Sequence, residues 1–185
     1  GMTVLDIGAN IGYYALMASR AVGPQGRVIA IEPSPTNIAL LERNMAVNGA
    51  TNVSVSCAAV SNTTGTKKFF LSELSNLNTF HVDERADQHL TGRTLEVRTL
   101  TVPQIVEEFG HLDLIRMDVE GHEVEIFNGM IDEIEAGALS PSIIFETHIR
   151  HYTSSHDFIA PLRRLFDAGY VVSIASSSSE QGTAI

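Results

Sequence analysis

Four polar segments each follow a short apolar run, and they contain residue types that bind cofactors or move protons. They are residues 6–12, Glu32, residues 118–121 and residues 146–148. In open parallel α/β sheets, ligands bind at the carboxyl ends of the strands, near the point where the strand order reverses. We therefore expect these four segments to meet at one edge of a sheet.

The first segment, from Asp6 to Gly12, lies between a predicted strand and a predicted helix. Gly8 and Gly12 permit a tight turn and the close approach of a ligand, and the free amides of the following helix suit an anion. The spacing lacks the central glycine of the dinucleotide fingerprint, which lets a pyrophosphate reach the backbone. S-adenosylmethionine has no phosphate, and the carboxylate of Asp6 suits its ammonium group. The alternative is an ordinary tight turn between strand and helix.

The second candidate, Glu32, directly follows the second predicted strand and lies 26 residues beyond Asp6. A carboxylate at this place can accept hydrogen bonds from the hydroxyls of an adenosine ribose. Pro33 and the helix-capping Ser34 are expected to hold it in place. This role fits a nicotinamide dinucleotide as well as S-adenosylmethionine, and the alternative is a solvated surface glutamate.

The third and fourth segments supply candidates for acid–base chemistry. Asp118 should emerge from the sheet beside the first loop, whereas Glu120 and Glu123 could simply favour the helix dipole. His148 at the rim of a cleft could act as a general base, or could be a hydrogen-bonded structural histidine. A less favoured interpretation has Asp118, Glu146 and His148 binding Mn²⁺, Fe²⁺ or Zn²⁺, so no metal ligand is predicted. Surface positions are expected for most of the other histidines, which are His81, His89, His111, His122, His151 and His156.

The elements that would position these residues alternate between strand and helix. Near-continuous apolar runs, typical of strands covered on both faces, predict strands at residues 4–7, 27–31, 53–56, 113–117, 142–145 and 170–174. Helical spacing of apolar residues predicts helices at 13–22, 34–48, 101–109, 123–136 and 157–168. The alternation predicts an α/β fold, doubly wound around a mostly parallel sheet.

Within residues 1–175, which we take as one catalytic domain, residues 62–100 have a different character. Segments 68–71 and 95–98 predict a β-hairpin around a polar loop. Residues 176–185 are polar and low in complexity, which indicates a loop or tail, and we expect the chain to be cut from something longer at both ends.

Composition narrows the function classes. The chain has 185 residues, 44% of them hydrophobic, and a formal net charge of −10. An acidic surface repels phosphates, so nucleic acid is not an expected partner. No apolar run reaches the length of a membrane span. The single cysteine, Cys57, excludes an internal disulfide and fits a reducing, cytoplasmic location.

The motifs together resemble the FkbM family of methyltransferases. The blocks that carry the resemblance are residues 4–14, 30–33, 115–121 and 146–148, with Asn44 and residues 59–61 between them. The Asp-x-Gly-Ala-Asn-x-Gly and Asp-Val-Glu-Gly blocks are specific only in combination. The resemblance implies a Rossmann-like class I methyltransferase fold, S-adenosylmethionine as methyl donor, and a hydroxyl acceptor on a sugar, polyketide or other small molecule.

The resemblance also assigns residues to roles. The predicted donor site consists of Asp6, Gly8, Ala9, Asn10, Gly12, Tyr13, Glu32, Pro33, Asn37, Ala59 and Asp118, and the predicted catalytic residues are His148, Asp118 and Glu120. Two features of the family are missing: sequence before the first strand and a seventh, antiparallel strand. Two other functions stay open, namely an NAD-binding oxidoreductase and a non-catalytic domain that contacts a partner through residues 62–92. The sequence identifies neither the acceptor nor the oligomeric state.

Overall fold

The computed structural model describes residues 1–81 and 89–176. Part of the predicted insertion and nearly all of the predicted polar tail lie outside these ranges. In chain order the elements are β1 (Thr3–Ile7), α1 (Tyr13–Val22), β2 (Arg27–Glu32), α2 (Pro35–Val47), β3 (Val53–Cys57), β4 (Ala59–Val60), β5 (Gly65–Ser72), β6 (Leu90–Leu100), α3 (Val102–Phe109), β7 (Leu114–Met117), α4 (Glu123–Asn128), α5 (Ile131–Glu135), β8 (Ser142–Phe145) and α6 (Ile159–Asp167).

The main sheet has the strand order β3-β2-β1-β7-β8, and every neighbouring pair is parallel. The chain builds outward from β1 through β2 to β3, then returns to place β7 on the other side of β1. The strand order therefore reverses between β1 and β7, which is where such sheets bind ligands. The predicted α/β class with a mostly parallel sheet is confirmed.

Alternating side chains of the central strands pack into two separate cores, one on each face of the sheet. Leu5 and Ile29 belong to the core that also contains residues of α3, α4, α5 and α6. Val4 and Val28 belong to the other core, with residues of α1 and α2. Because strand side chains alternate between faces, consecutive apolar residues contribute to both cores, and helices cover each face.

A smaller sheet has the order β4-β6-β5 and contains the predicted hairpin. Strands β5 and β6 are antiparallel, with Lys68 opposite Glu96 and Phe69 opposite Leu95. Phe69 and Val97 are buried in a small apolar cluster with Ala59. This cluster seats the hairpin beside the carboxyl end of the main sheet.

Two predicted elements are wrong. Residues 170–174 form no strand, and Val171, Val172 and Ile174 are 66–89% exposed, because an apolar run becomes a strand only where it finds an edge to pair with. The helix predicted at 123–136 is divided into α4 and α5. It breaks at Gly129, where a side chain would contact the backbone of Ser61 and Asn62 at 2.8 Å.

Among the described residues, no helix combines the length and the apolar character needed to cross a bilayer.

Candidate cofactor-binding and catalytic site

A cavity of about 380 Å³ lies at the carboxyl ends of β1, β2 and β7, at the reversal of strand order. This volume falls in the range of small-molecule sites. Its lining includes nine of the residues predicted from the sequence: Gly8, Ala9, Asn10, Tyr13, Glu32, Pro33, Ala59, Asp118 and Glu120. The hairpin insertion contributes a further wall, formed by Phe69, Asn76, Asn78 and Phe80.

The loop after β1 is held tightly against the ends of its two neighbours. The amides of Gly8 and Ala9 donate to the carbonyl oxygen of Ile31, at 3.0 and 3.1 Å. Gly8 has φ +75°, and a side chain there would lie 2.1 Å from the carbonyl oxygen of Asp118. Glycine is required here by both the left-handed backbone and the close approach. The same turn brings Asn10, also left-handed with φ +50°, into the cavity lining.

The Glu32 carboxylate is 4% exposed and is held by three hydrogen bonds. Its Oε1 accepts from the Ser34 amide and the Asn37 side chain, at 3.0 and 3.1 Å, and its Oε2 accepts from the Asn10 amide at 3.0 Å. Burial raises the pKa of Glu32, and these donors offset part of that rise. A carboxylate offers about four acceptor positions, so one position on Oε2 remains for a donor in the cavity.

Asp6, Arg116 and Asp118 form a charged network in which Arg116 and Asp118 line the cavity. Arg116 pairs with Asp6 at 3.2 Å and with Asp118 at 2.9 Å, and its guanidinium lies 4.0 Å from the centre of the Tyr14 ring. Asp6 is 1% exposed, and burial raises its pKa to about 6 although the Arg116 charge opposes this. Asp6 itself does not line the cavity, so its side chain is placed to orient Arg116.

Arg116 is a site residue that the sequence analysis missed. Its position in the middle of an otherwise apolar strand was a usable signal, because a charge inside a sheet needs an acidic partner.

His148 is not among the cavity-lining residues but joins a second network next to Asp118 and Glu120, which are. Its Nδ1 lies 2.8 Å from the Glu123 carboxylate, which also accepts from the Tyr152 hydroxyl at 3.0 Å. Its Nε2 lies 3.6 Å from both Asp118 and Glu120. Burial alone would lower the pKa of His148, but the bond to Glu123 and the charges of the three carboxylates outweigh burial and raise it.

Glu123 begins α4, in the helix-terminal position that the sequence indicated, but its side chain contacts His148 and Tyr152. It is completely buried. Burial alone would raise the pKa of Glu123, but its bonds to His148 and Tyr152 outweigh burial and lower it.

The less favoured metal arrangement of Asp118, Glu146 and His148 is not assembled, because Glu146 is exposed and lies outside the group. Glu120 takes its place, and donor atoms of Asp118, Glu120 and His148 all lie within 4.8 Å of one another. Glu120 also pairs with Arg150 at 3.0 Å.

The remaining predicted residues contact the site indirectly or lie elsewhere. Gly12 caps α1 with φ +89° and packs closely on Leu41 and Met45. The side-chain amide of Asn37 donates a hydrogen bond to Glu32. The surface prediction for the histidines is wrong for His122 and His151, which are 3% and 7% exposed. His122 even lines the cavity.

The chain belongs to the FkbM methyltransferase domain family, whose model matches residues 6–172. It is 27% identical over 172 residues to methyltransferase sdnD of Sordaria araneosa, covering 78% of this chain and 65% of that protein. It is 28% identical over 159 residues to the 31-O-demethyl-FK506 methyltransferase FkbM of Streptomyces tacrolimicus, covering 71% of this chain and 60% of that protein. Among solved structures, methyltransferase FkbM from Methylobacillus flagellatus KT matches with a TM-score of 0.56 at 19% identity, covering 86% of this chain and 36% of that one.

These matches confirm the family inferred from the sequence, and the solved structure confirms its fold. The two relatives and the solved structure are all named as methyltransferases. The chain spans less than two thirds of the length of the two relatives.

Proposed function

We propose that this chain binds S-adenosylmethionine in the cavity at the ends of β1, β2 and β7 and directs its methyl group to a hydroxyl acceptor. The observation that carries the proposal is the Glu32 carboxylate, buried at the end of β2 with one acceptor position left beside the glycine loop. Such a position suits a ribose hydroxyl.

The donor site also offers a match for the amino-acid end of the cofactor. Asn10 Oδ1 is a buried acceptor in the cavity lining that has no hydrogen-bond partner among the described residues. An unpaired buried acceptor costs about 1–3 kcal/mol, and an ammonium donor would remove that cost. When bound, the cofactor supplies a methyl group on a sulfonium, and the leaving thioether is neutral.

We assign to His148 the removal of the proton from the acceptor hydroxyl. Glu123 accepts from Nδ1–H, which leaves the lone pair of Nε2 directed between Asp118 and Glu120. Both of these carboxylates line the cavity. They would stabilise the imidazolium that forms when His148 removes the proton, and the positioned base contributes about 10²–10⁴-fold to such a step.

One relative and the residues of the cavity wall support the acceptor class. One relative is named as a 31-O-demethyl-FK506 methyltransferase, and that name places the methyl group on an oxygen atom. Here the hairpin residues Phe69 and Phe80 present apolar surface, and Asn76 and Asn78 add amides. This combination suits a small molecule or carbohydrate better than nucleic acid. The exposed free thiol of Cys57 supports a reducing, cytoplasmic location.

The direct test is formation of S-adenosylhomocysteine from S-adenosylmethionine over a panel of hydroxylated small molecules and sugars. Turnover that requires one of these acceptors and falls at least about 100-fold in His148→Gln would support the proposal. His111→Gln, at an exposed position, is the matched control. Turnover that survives intact in His148→Gln would remove the base assignment.

A further inference from the structure

A second group of side chains with metal-binding chemistry lies outside the donor site and the His148 network. It consists of His81, Glu125 and His156, here called the histidine cluster, whose donor atoms all lie within 4.8 Å of one another. Its members are half-buried and come from three separate parts of the chain: the hairpin insertion, helix α4 and the loop before α6.

The donor spacing is that of a metal coordination shell. Glu125 Oε2 lies 3.7 Å from His81 Nε2 and 3.1 Å from His156 Nε2. A tetrahedral site with metal–ligand bonds near 2.0–2.1 Å has donors about 3.3 Å apart. These two separations lie within a few tenths of an ångström of that value, and the third donor pair, His81 and His156, lies within 4.8 Å. His122 Nδ1 lies 3.4 Å from the same oxygen and 3.2 Å from His81 Nε2, close to the remaining position.

The surrounding hydrogen bonds fix the rings as metal-binding histidines are usually fixed. The backbone carbonyl of His151 lies 2.9 Å from Nδ1 of His156, so a proton on Nδ1 leaves Nε2 with its lone pair toward Glu125. Metal-ligating histidines commonly bond a backbone carbonyl through their other ring nitrogen. The Ser61 hydroxyl contacts Nε2 of His122 at 3.0 Å in a similar way.

The pKa shifts differ among the histidines at this place. Burial lowers the pKa of His81, and it lowers the pKa of His122 well below its ordinary value. Neutral imidazoles are the form that binds metal. Burial alone would lower the pKa of His156 too, but its bonds to His151 and Glu125 raise it. Metal would displace that proton, so the affinity should fall in acid.

We propose that His81, Glu125 and His156 bind one divalent transition-metal ion, with Zn²⁺ the best match to two imidazoles and one carboxylate. Imidazole and carboxylate ligands suit Zn²⁺ and the other divalent first-row transition metals, and they suit Mg²⁺ poorly.

The site would link the hairpin insertion to the core. Phe80, next to His81, lines the cavity and its ring lies 4.5 Å from that of His122. A bound ion would therefore hold the cavity wall in place without contacting S-adenosylmethionine.

The test is calorimetric titration of Zn²⁺ into chelator-dialysed wild-type protein and into His81→Gln, His156→Gln, His111→Gln and His148→Gln. His111 is an exposed control, and His148 belongs to the rival group with Asp118 and Glu120. We expect one equivalent to bind the wild type, at least about tenfold weaker binding in both cluster variants, and wild-type affinity in the two others. At a hundredfold excess over Kd, Zn²⁺ should raise the wild-type Tm by about 5–10 °C.

Co²⁺ provides a second measurement, since its visible spectrum reports imidazole coordination directly. Folding of each variant is checked by circular dichroism. The proposal is overturned if the wild type shows no saturable binding, or if either cluster variant keeps wild-type affinity. It is also overturned if His148→Gln abolishes binding, because the ion would then belong to the other group. None of these readouts depends on the binding of S-adenosylmethionine or of a methyl acceptor.

Discussion

Replacement of Glu32 by alanine should separate a cofactor-binding role from a purely structural one. The variant removes the acceptor position on Oε2 that faces the cavity, together with the three bonds from Asn10, Ser34 and Asn37. A hydrogen bond to a charged group contributes about 1.5–3 kcal/mol. Loss of one such bond to a ribose hydroxyl should weaken S-adenosylhomocysteine binding by about 10- to 150-fold.

The same substitution should also reduce stability. The Asn10 and Ser34 amides lose their acceptor in a buried place, whereas the protein no longer has to bury a carboxylate whose pKa is raised. We expect a net loss of about 2 kcal/mol, which corresponds to a fall of about 4–8 °C in Tm for a domain of this size. Calorimetric titration and thermal denaturation measure the two effects independently.

Glu42→Ala is the matched control, because Glu42 is also a glutamate and lies on the next element, α2, but is exposed. It should leave both the affinity and the Tm nearly unchanged. If folded Glu32→Ala binds S-adenosylhomocysteine within twofold of the wild type, Glu32 has no part in the donor site. Equal weakening by Glu42→Ala would show that only net charge matters.

Two further predictions concern the loop and the base. Gly8→Ala and Gly49→Ala both place alanine at positive φ, but only the alanine at position 8 meets a backbone oxygen, that of Asp118 at 2.1 Å. In urea denaturation, Gly49→Ala should lower the free energy of unfolding by roughly 1–2 kcal/mol. Gly8→Ala should lower it by about 2 kcal/mol more. Equal costs would contradict the tight contact. Glu123→Gln should lower the pKa of His148, because it removes the nearest negative charge while burial remains. His148 would then become neutral, and active as a base, at a lower pH than in the wild type. An NMR titration of the His148 ring checks this, and an unchanged pKa would exclude Glu123 as its main partner.

Most of the sheet could be predicted because its physical signal is local. Central parallel strands are buried on both faces, so β1 and β2 are mostly apolar, with Asp6 the one polar residue among residues 4–7 and 28–31. The run at residues 170–174 has the same appearance but forms no strand. Whether this run pairs with a sheet edge depends on the direction that the chain takes after α6. No local sequence pattern determines that direction.

The candidate site was predictable where it follows strand ends and unpredictable where it depends on distant contacts. Glu32 and Asp118 each follow a strand directly, so topology alone places them together. His122 has polar neighbours in sequence and looked like a surface residue. It is buried because the hairpin insertion folds over it and brings the Phe80 ring against it. That packing joins residues 42 positions apart.

Titration of S-adenosylhomocysteine and NAD into the wild-type chain tests the central claim most directly. Glu32 and the glycine loop provide a ribose acceptor, while the loop lacks the glycine that a pyrophosphate requires. We predict saturable binding of one equivalent of S-adenosylhomocysteine, and NAD binding that is at least about tenfold weaker. Tighter binding of NAD, or no binding of S-adenosylhomocysteine by the folded chain, would contradict the proposed donor site.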